Sequence, residues 1–276
     1  MLIDPYDAQW LDRFDVSAGA TYLLIDGAFV PGLHRRIKAT VPASHAPSLL
    51  FEKLPGCSDK TRDVSPFLVR FQPSNPRFRA LLEQCSGWPM ICAIETPESQ
   101  AELTERLAAW CVVEVDGQRF NFRFSDTRRL PAIFDALLDG QRAQFAGPAT
   151  RWSYIDRGGE WQELCVPQVL YPIADRPRLD DQQFAKLVHD SETDEVISIL
   201  AYRGHELAPH SRCHAAVSIA LHVSRNADLN THAKAAWCES CLAGGLAQDE
   251  KQLAAQLPPW MAAFSPEQDS LFAKEA

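Results

Sequence analysis

Apolar positions along this chain fall into two textures. Up to about residue 165, short and continuously apolar runs alternate with stretches of helical period, and beyond about residue 180 only the helical period remains. Tyr22-Leu23-Leu24-Ile25 is the first run and stops at Asp26-Gly27. Leu49-Leu50-Phe51, Phe67-Leu68-Val69-Arg70-Phe71 and Met90-Ile91-Cys92-Ala93-Ile94 follow it. Runs that are apolar at every position, rather than at every second one, predict strands covered on both faces by helices.

Helices are predicted between these runs. Thr96-Pro97-Glu98-Ser99 offers an N-cap, a proline at the first helical position and an acidic first turn. Leu103, Leu107 and Trp110 then mark one face, while Glu102 and Arg106 stand four apart for an ion pair on another. Asn75-Pro76 opens a second helix through Phe78, Leu81 and Leu82. The clearest local signal is a hairpin. Cys111, Val113 and Val115 alternate, Asp116-Gly117 supplies a tight turn, and Phe120, Phe122 and Phe124 alternate in return. A second hairpin joins Trp152-Ser153-Tyr154-Ile155 to Trp161-Gln162-Glu163-Leu164 through Arg157-Gly158-Gly159.

Pro167, Pro172 and Pro177 then read as an extended linker. The expected architecture is an α/β lobe at 1–168, with a mixed sheet, flanking helices and hairpins, followed by an all-helical lobe at 169–276 with an apolar C-terminal tail. Helical period places elements at about 180–190, 192–206, 211–226 and 229–243. Asp228 or Asn230 can cap the last of these, and Gly244-Gly245 can end it. The tail Leu257-Pro258-Pro259-Trp260-Met261-Ala262-Ala263-Phe264 is apolar but cannot begin as a helix. It is expected to dock on the protein's own surface. The alternative is that Trp260 and Phe264 contact a partner, since aromatic side chains are enriched in interface cores.

Composition narrows the function classes. The 276 residues are 46% hydrophobic and 23% charged, with a net charge of −9. An acidic chain whose closest basic clusters are Arg35-Arg36 and Arg128-Arg129 has no cationic stripe for phosphates, which argues against nucleic acid. Met1-Leu2-Ile3-Asp4-Pro5 lacks the basic and apolar regions of a signal peptide, and no run reaches the ~18 apolar residues of a membrane span. A cytoplasmic protein without membrane contact is expected. Its eight cysteines fit that compartment as reduced thiols, since Cys92 and Cys111 sit inside apolar runs.

Three features could carry chemistry. His210-x-x-Cys213 and Cys238-x-x-Cys241 together have the residue types of a tetrahedral zinc site. Both fall inside predicted helices rather than knuckles, so buried thiols are the preferred reading, and no metal or other cofactor is expected. Histidines 189, 205, 210, 214, 222 and 232 show no His-Glu-x-x-His pattern. Phe122-Arg123-Phe124-Ser125-Asp126-Thr127-Arg128-Arg129 is the densest polar cluster, in which Asp126 could be a base and the arginines an anion clamp. The preferred reading is that Asp126 caps a following turn or pairs with Arg123 or Arg128. Neither a glycine-rich phosphate loop nor a Gly-x-Ser-x-Gly elbow occurs, which lowers the case for an enzyme.

Seven stretches resemble, in order, the type VI secretion effector chaperones, a bacterial adaptor family. They are Tyr22-Leu23-Leu24-Ile25-Asp26-Gly27-Ala28, Leu50-Phe51-Glu52, Val64-Ser65-Pro66-Phe67-Leu68-Val69, Trp88-Pro89, the Glu98–Leu107 helix, Phe122–Arg128 and Phe145-Ala146-Gly147-Pro148. The resemblance covers roughly residues 20–150. This chain departs from the pattern in carrying Ser125 and Thr127 where the family has Tyr and Pro, and in keeping only Leu107 of a His-Leu-Arg triplet. The resemblance implies a non-enzymatic protein that binds a cognate secreted effector and hands it to the valine-glycine-repeat (VgrG) spike. Effector contacts are expected at the inter-lobe region and on the helical lobe, with Trp88, Arg123, Asp126 and Arg128 fixing the first lobe's shape and standing as its candidate partner-binding residues. A zinc-supported or hydrolytic enzyme and a generic protein-binding scaffold are the rival readings.

Overall fold

The computed structural model describes residues 2–6, 20–167, 177–245 and 249–264. The boundary expected at residues 168 and 169 lies outside the described residues. Among the described residues eight strands are formed: β1 (Ala20–Ile25), β2 (Ser48–Leu49), β3 (Phe67–Arg70), β4 (Ile91–Thr96), β5 (Val112–Val115), β6 (Gln118–Asn121), β7 (Arg151–Ile155) and β8 (Trp161–Glu163). Helices are α1 (Leu33–Lys38), α2 (Asp59–Asp63), α3 (Pro76–Glu83), α4 (Gln100–Ala109), α5 (Leu130–Ala136), α6 (Asp139–Ala146), α7 (Asp181–Tyr202), α8 (His210–Val223), α9 (Thr231–Ala243) and α10 (Glu250–Ala263). The chain divides into two compact units, Met1–His189 and Asp190–Ala276.

In the first unit six strands pair in the order β2-β3-β1-β4-β7-β8, every pair antiparallel. Successive residues of β1 feed opposite faces: Tyr22 and Leu24 enter one core, Leu23 and Ile25 the other. β3 and β4 do the same, with Leu68, Cys92 and Ile94 on the first face and Phe67, Val69, Ile91 and Ala93 on the second. That two-sided burial is why the runs are apolar at every position. Each fully buried Leu or Ile contributes about 2 kcal/mol. α4, α5 and α6 cover the first face through Leu103, Leu107, Ile133 and Phe145, and α1 and α3 cover the second through Leu33, Ile37, Phe78 and Leu82. The α/β unit followed by helices matches the expected fold class.

Both hairpins form. Val115 faces Gln118 across Asp116 (φ 46°) and Gly117 (φ 74°), and Ile155 faces Trp161. Asn75 caps α3 by accepting from the Arg77 and Phe78 amides, at 3.1 Å each. The start of α4 differs from the expectation. Thr96 ends β4, opposite Ala20, and the cap is Ser99, which forms a capping box with Glu102. That use of Glu102 also redirects Arg106. Its guanidinium turns to Glu98 at 2.5 Å and donates to the Phe145 carbonyl, so the expected Glu102–Arg106 pair is absent.

The second unit holds the end of α7 with α8, α9 and α10 around Trp237. Helices expected at 180–190 and 192–206 are one helix, α7, because Asp190-Ser191-Glu192 continues the turn instead of breaking it. Asn230 caps α9 by accepting from the Ala233 amide at 2.9 Å, and Gly244 ends it. The tail lies within a helix that it does not begin. α10 starts upstream at the Asp249–Gln252 capping box, so Pro258 and Pro259 meet a helix already nucleated. They forgo bonds to the carbonyls of Ala254 and Ala255, residues exposed to water.

Candidate functional site

One end of the sheet collects the sequence stretches that stood out. β1 exits there at Asp26-Gly27, and β3 and β4 enter there after Val64-Ser65-Pro66 and Trp88-Pro89-Met90. The Asp26 amide donates to the Met90 carbonyl and the Thr127 amide to the Pro89 carbonyl, both at 2.9 Å. The second of those bonds draws the Phe122–Arg128 stretch onto the same end. Gly27 is required by proximity: a Cβ there would lie 2.4 Å from the Ser65 carbonyl oxygen.

Two buried carboxylates organise this end. Asp26, 2% exposed, accepts from Arg123 at 3.1 Å, from the Ser125 hydroxyl at 3.0 Å and from the Ala28 amide at 2.9 Å. Asp126, also 2% exposed, accepts from the Arg128 amide at 3.1 Å and from its guanidinium at 3.0 and 2.7 Å. Asp126 therefore caps its own turn and pairs with Arg128, one of the two arginines expected. The other, Arg123, pairs with Asp26 instead. Both carboxylates spend their lone pairs on fixed donors, an arrangement that holds backbone and guanidinium positions.

The side chains so positioned form a half-buried aromatic and cationic cluster, in which Arg123 is half exposed and Arg128 largely buried. Phe29 stacks on Trp88 at 5.8 Å between centroids. The guanidinium carbons of Arg123 and Arg128 lie 5.5 and 5.8 Å from the centroid of the same Phe29 ring. Trp88, Arg123, Asp126 and Arg128 are thus brought together. Asp26 and Phe29 were not singled out from sequence. A signal existed for Asp26, since a carboxylate ending a fully buried strand needs a donor. Phe29 has none beyond an aromatic in a loop.

The other candidates lie elsewhere. Cys213, Cys238 and Cys241 are buried in the core of the helical unit, where burial raises each thiol, Cys241 to about 12. Among the described residues no group of three or more His, Cys, Asp or Glu is placed to hold a metal. Trp260 packs on Trp237 at 5.2 Å and Phe264 on Trp260 at 4.7 Å, so both aromatics of the tail are engaged with their own unit. No helix is long and apolar enough to cross a membrane, among the described residues.

Fold and site define an antiparallel α/β unit with a carboxylate-braced arginine and aromatic cluster, followed by a unit built of helices. Residues 21–144, from β1 into α6, match the family described as "Domain of unknown function (DUF4123)". The matched span falls inside the first unit. No curated protein and no solved structure matches the chain.

Proposed function

We propose that this protein is a non-enzymatic adaptor-chaperone of a type VI secretion system. In this reading it binds a cognate effector in the cytoplasm, keeps it soluble and helps to load it onto the VgrG spike. The observation that carries the reading is a coincidence of positions. The stretch matched by the family, residues 21–144, contains nearly all of the sequence that resembles the effector chaperones, and its most distinctive residues converge on one end of the sheet. What they build there suits contact. Arginine and aromatic side chains are the types that anchor protein interfaces, and here Asp26 and Asp126 hold the two guanidinium groups in place over Phe29.

Co-expression with the effector encoded beside this gene tests the reading. The expected result is a stable complex on co-purification and a larger soluble fraction of effector than when it is expressed alone. Failure of both would remove the adaptor role and leave a scaffold for some other protein.

A further inference from the structure

A groove of about 830 Å³ opens on the α/β unit where α4 passes the edge strand β2 and the turn after it. α4 directs Leu103 and Leu107 into the core, which leaves Ala101, Thr104 and Ala108 on its outer side as one wall. Leu49 and Leu54, both half-buried, face it from the other side. A second recess of about 440 Å³ shares Leu54 and Ala108 and reaches Val112 and Arg119, so the apolar trough continues toward β5. The ten residues of α4 give it a length of about 15 Å.

The rim is mainly cationic although the chain is acidic. Arg35, Lys38, Lys53 and Arg62 line it against two carboxylates, Glu52 and Glu105. Arg35 pairs with Asp63, and Arg62 with Glu52 and Asp59. Lys38 and Lys53 have no ion pair among the described residues and are exposed. An extended peptide would need backbone groups from β2. That strand has two residues, Pro47 before it has no N–H, and the Leu49 carbonyl already accepts from Glu52 at 3.4 Å. A helix brings its backbone bonds with it and asks only for an apolar trough.

From this geometry we infer that the α4 groove receives an amphipathic helix of the effector, its apolar face on Leu49, Leu54 and Ala108 and its flanking acidic residues against Lys38 and Lys53. The inference rests on the adaptor reading and names the contact within it.

Two arms test it. In the first, a designed helical peptide of about 18 residues, with leucines on one face and glutamates beside them, is titrated into the full-length protein by fluorescence anisotropy. A copy with lysines in place of the glutamates is the control. Wild type should bind the glutamate peptide at least about tenfold more tightly, with the preference shrinking at higher salt. K38E/K53E should reverse that preference, and A108W should abolish binding of both peptides. A108W must retain the wild-type circular dichroism spectrum. Should it unfold, T104E serves as the blocking variant on the same wall. Equal affinity for the two peptides, or binding indifferent to the blocking variant, overturns the inference.

In the second arm the neighbouring effector is co-expressed with wild type and with K38E/K53E. Loss of co-purification in the variant alone supports the groove. Retention in both overturns the groove while sparing the adaptor role. If wild type itself captures no effector, the adaptor reading fails, and the peptide arm still decides whether the groove takes an acidic helix.

Discussion

The two units solve the problem of specificity by different means. The α/β unit buries charge: Asp26, Arg106 and Asp126 are each 2% exposed, and each has a named counter-ion. In the helical unit the described buried residues other than apolar ones are Thr193 and Ser224, and neither is charged. Its centre is Trp237, whose indole donates to the Ala220 carbonyl at 2.9 Å, with Val196, Leu200 and Val217 in the same core. A buried ion pair adds little net stability, because desolvation offsets most of the attraction, but losing one member is costly. The α/β unit is thus tied to particular residues at particular places. The helical unit needs only suitable shapes and volumes, and so tolerates sequence change more readily.

The largest expected effect separates the two directly. Trp237→Ala removes the central ring of the helical unit and should cost about 3–5 kcal/mol. In urea unfolding followed by circular dichroism, the helical unit should melt early while the α/β unit keeps its own transition. A single transition shifted as a whole would show that the units do not behave independently. Next comes Arg106→Ala, which takes the guanidinium from half-buried Glu98 and leaves the Phe145 carbonyl without this donor, at a cost of about 3 kcal/mol. Arg106→Met combined with Glu98→Gln should recover part of that loss. If the double variant is no better than the single one, the cost comes from packing and not from an orphaned charge.

Arg106 also marks where sequence reading stops. The apolar runs, the Asp116-Gly117 hairpin and the Asn75 cap were legible because each signal is local: a period, a turn dipeptide, a cap two or three residues from its donors. Arg106 was assigned to Glu102 by the same local logic. Its real acceptors are Glu98, eight residues back, and Phe145, thirty-nine residues on, and no local rule reaches the second. The candidate site divides the same way. Asp126 with Arg128 is a two-residue contact and could be read, whereas Arg123 with Asp26 spans ninety-seven residues and could not. In the tail, Leu257-Pro258-Pro259 cannot begin a helix, and the cap that nucleates α10, at Asp249, lies nine residues upstream of Pro258.

Buried thiols are the point on which the units agree, and they predict a shared response to pH. Burial raises Cys85 and Cys111 in the α/β unit, and Cys241 in the helical unit, each to about 12. An unfolded chain releases those protons near pH 8.5–9, so above that point the native state holds protons that the unfolded state has lost. The thiols' contribution to stability should therefore be flat below about pH 8.5 and fall above it, by up to about 1.4 kcal/mol per pH unit for each such thiol. Iodoacetamide at pH 8 should modify exposed Cys165 and spare these three until denaturant is added. Labelling of Cys241 in the native protein would show that the helical core opens more readily than its packing suggests.

The smallest effect on stability should come with a large effect on binding. Arg123 is half exposed, and its pair with Asp26 is screened on one side by water, so Arg123→Ala should cost less than about 1 kcal/mol. Asp26→Ala should cost more, about 2 kcal/mol, because the buried Ser125 hydroxyl loses its acceptor. In effector titrations by calorimetry the order should invert. Arg123→Ala removes a guanidinium presented over Phe29 and should weaken binding about tenfold or more while the fold stays intact. Arg123→Lys should rescue little, since an ammonium cannot lie flat over the ring while also reaching Asp26. If both Arg123 variants bind as wild type does, Asp26 and Asp126 brace the end of the sheet for its own sake, and the effector is held elsewhere on the molecule.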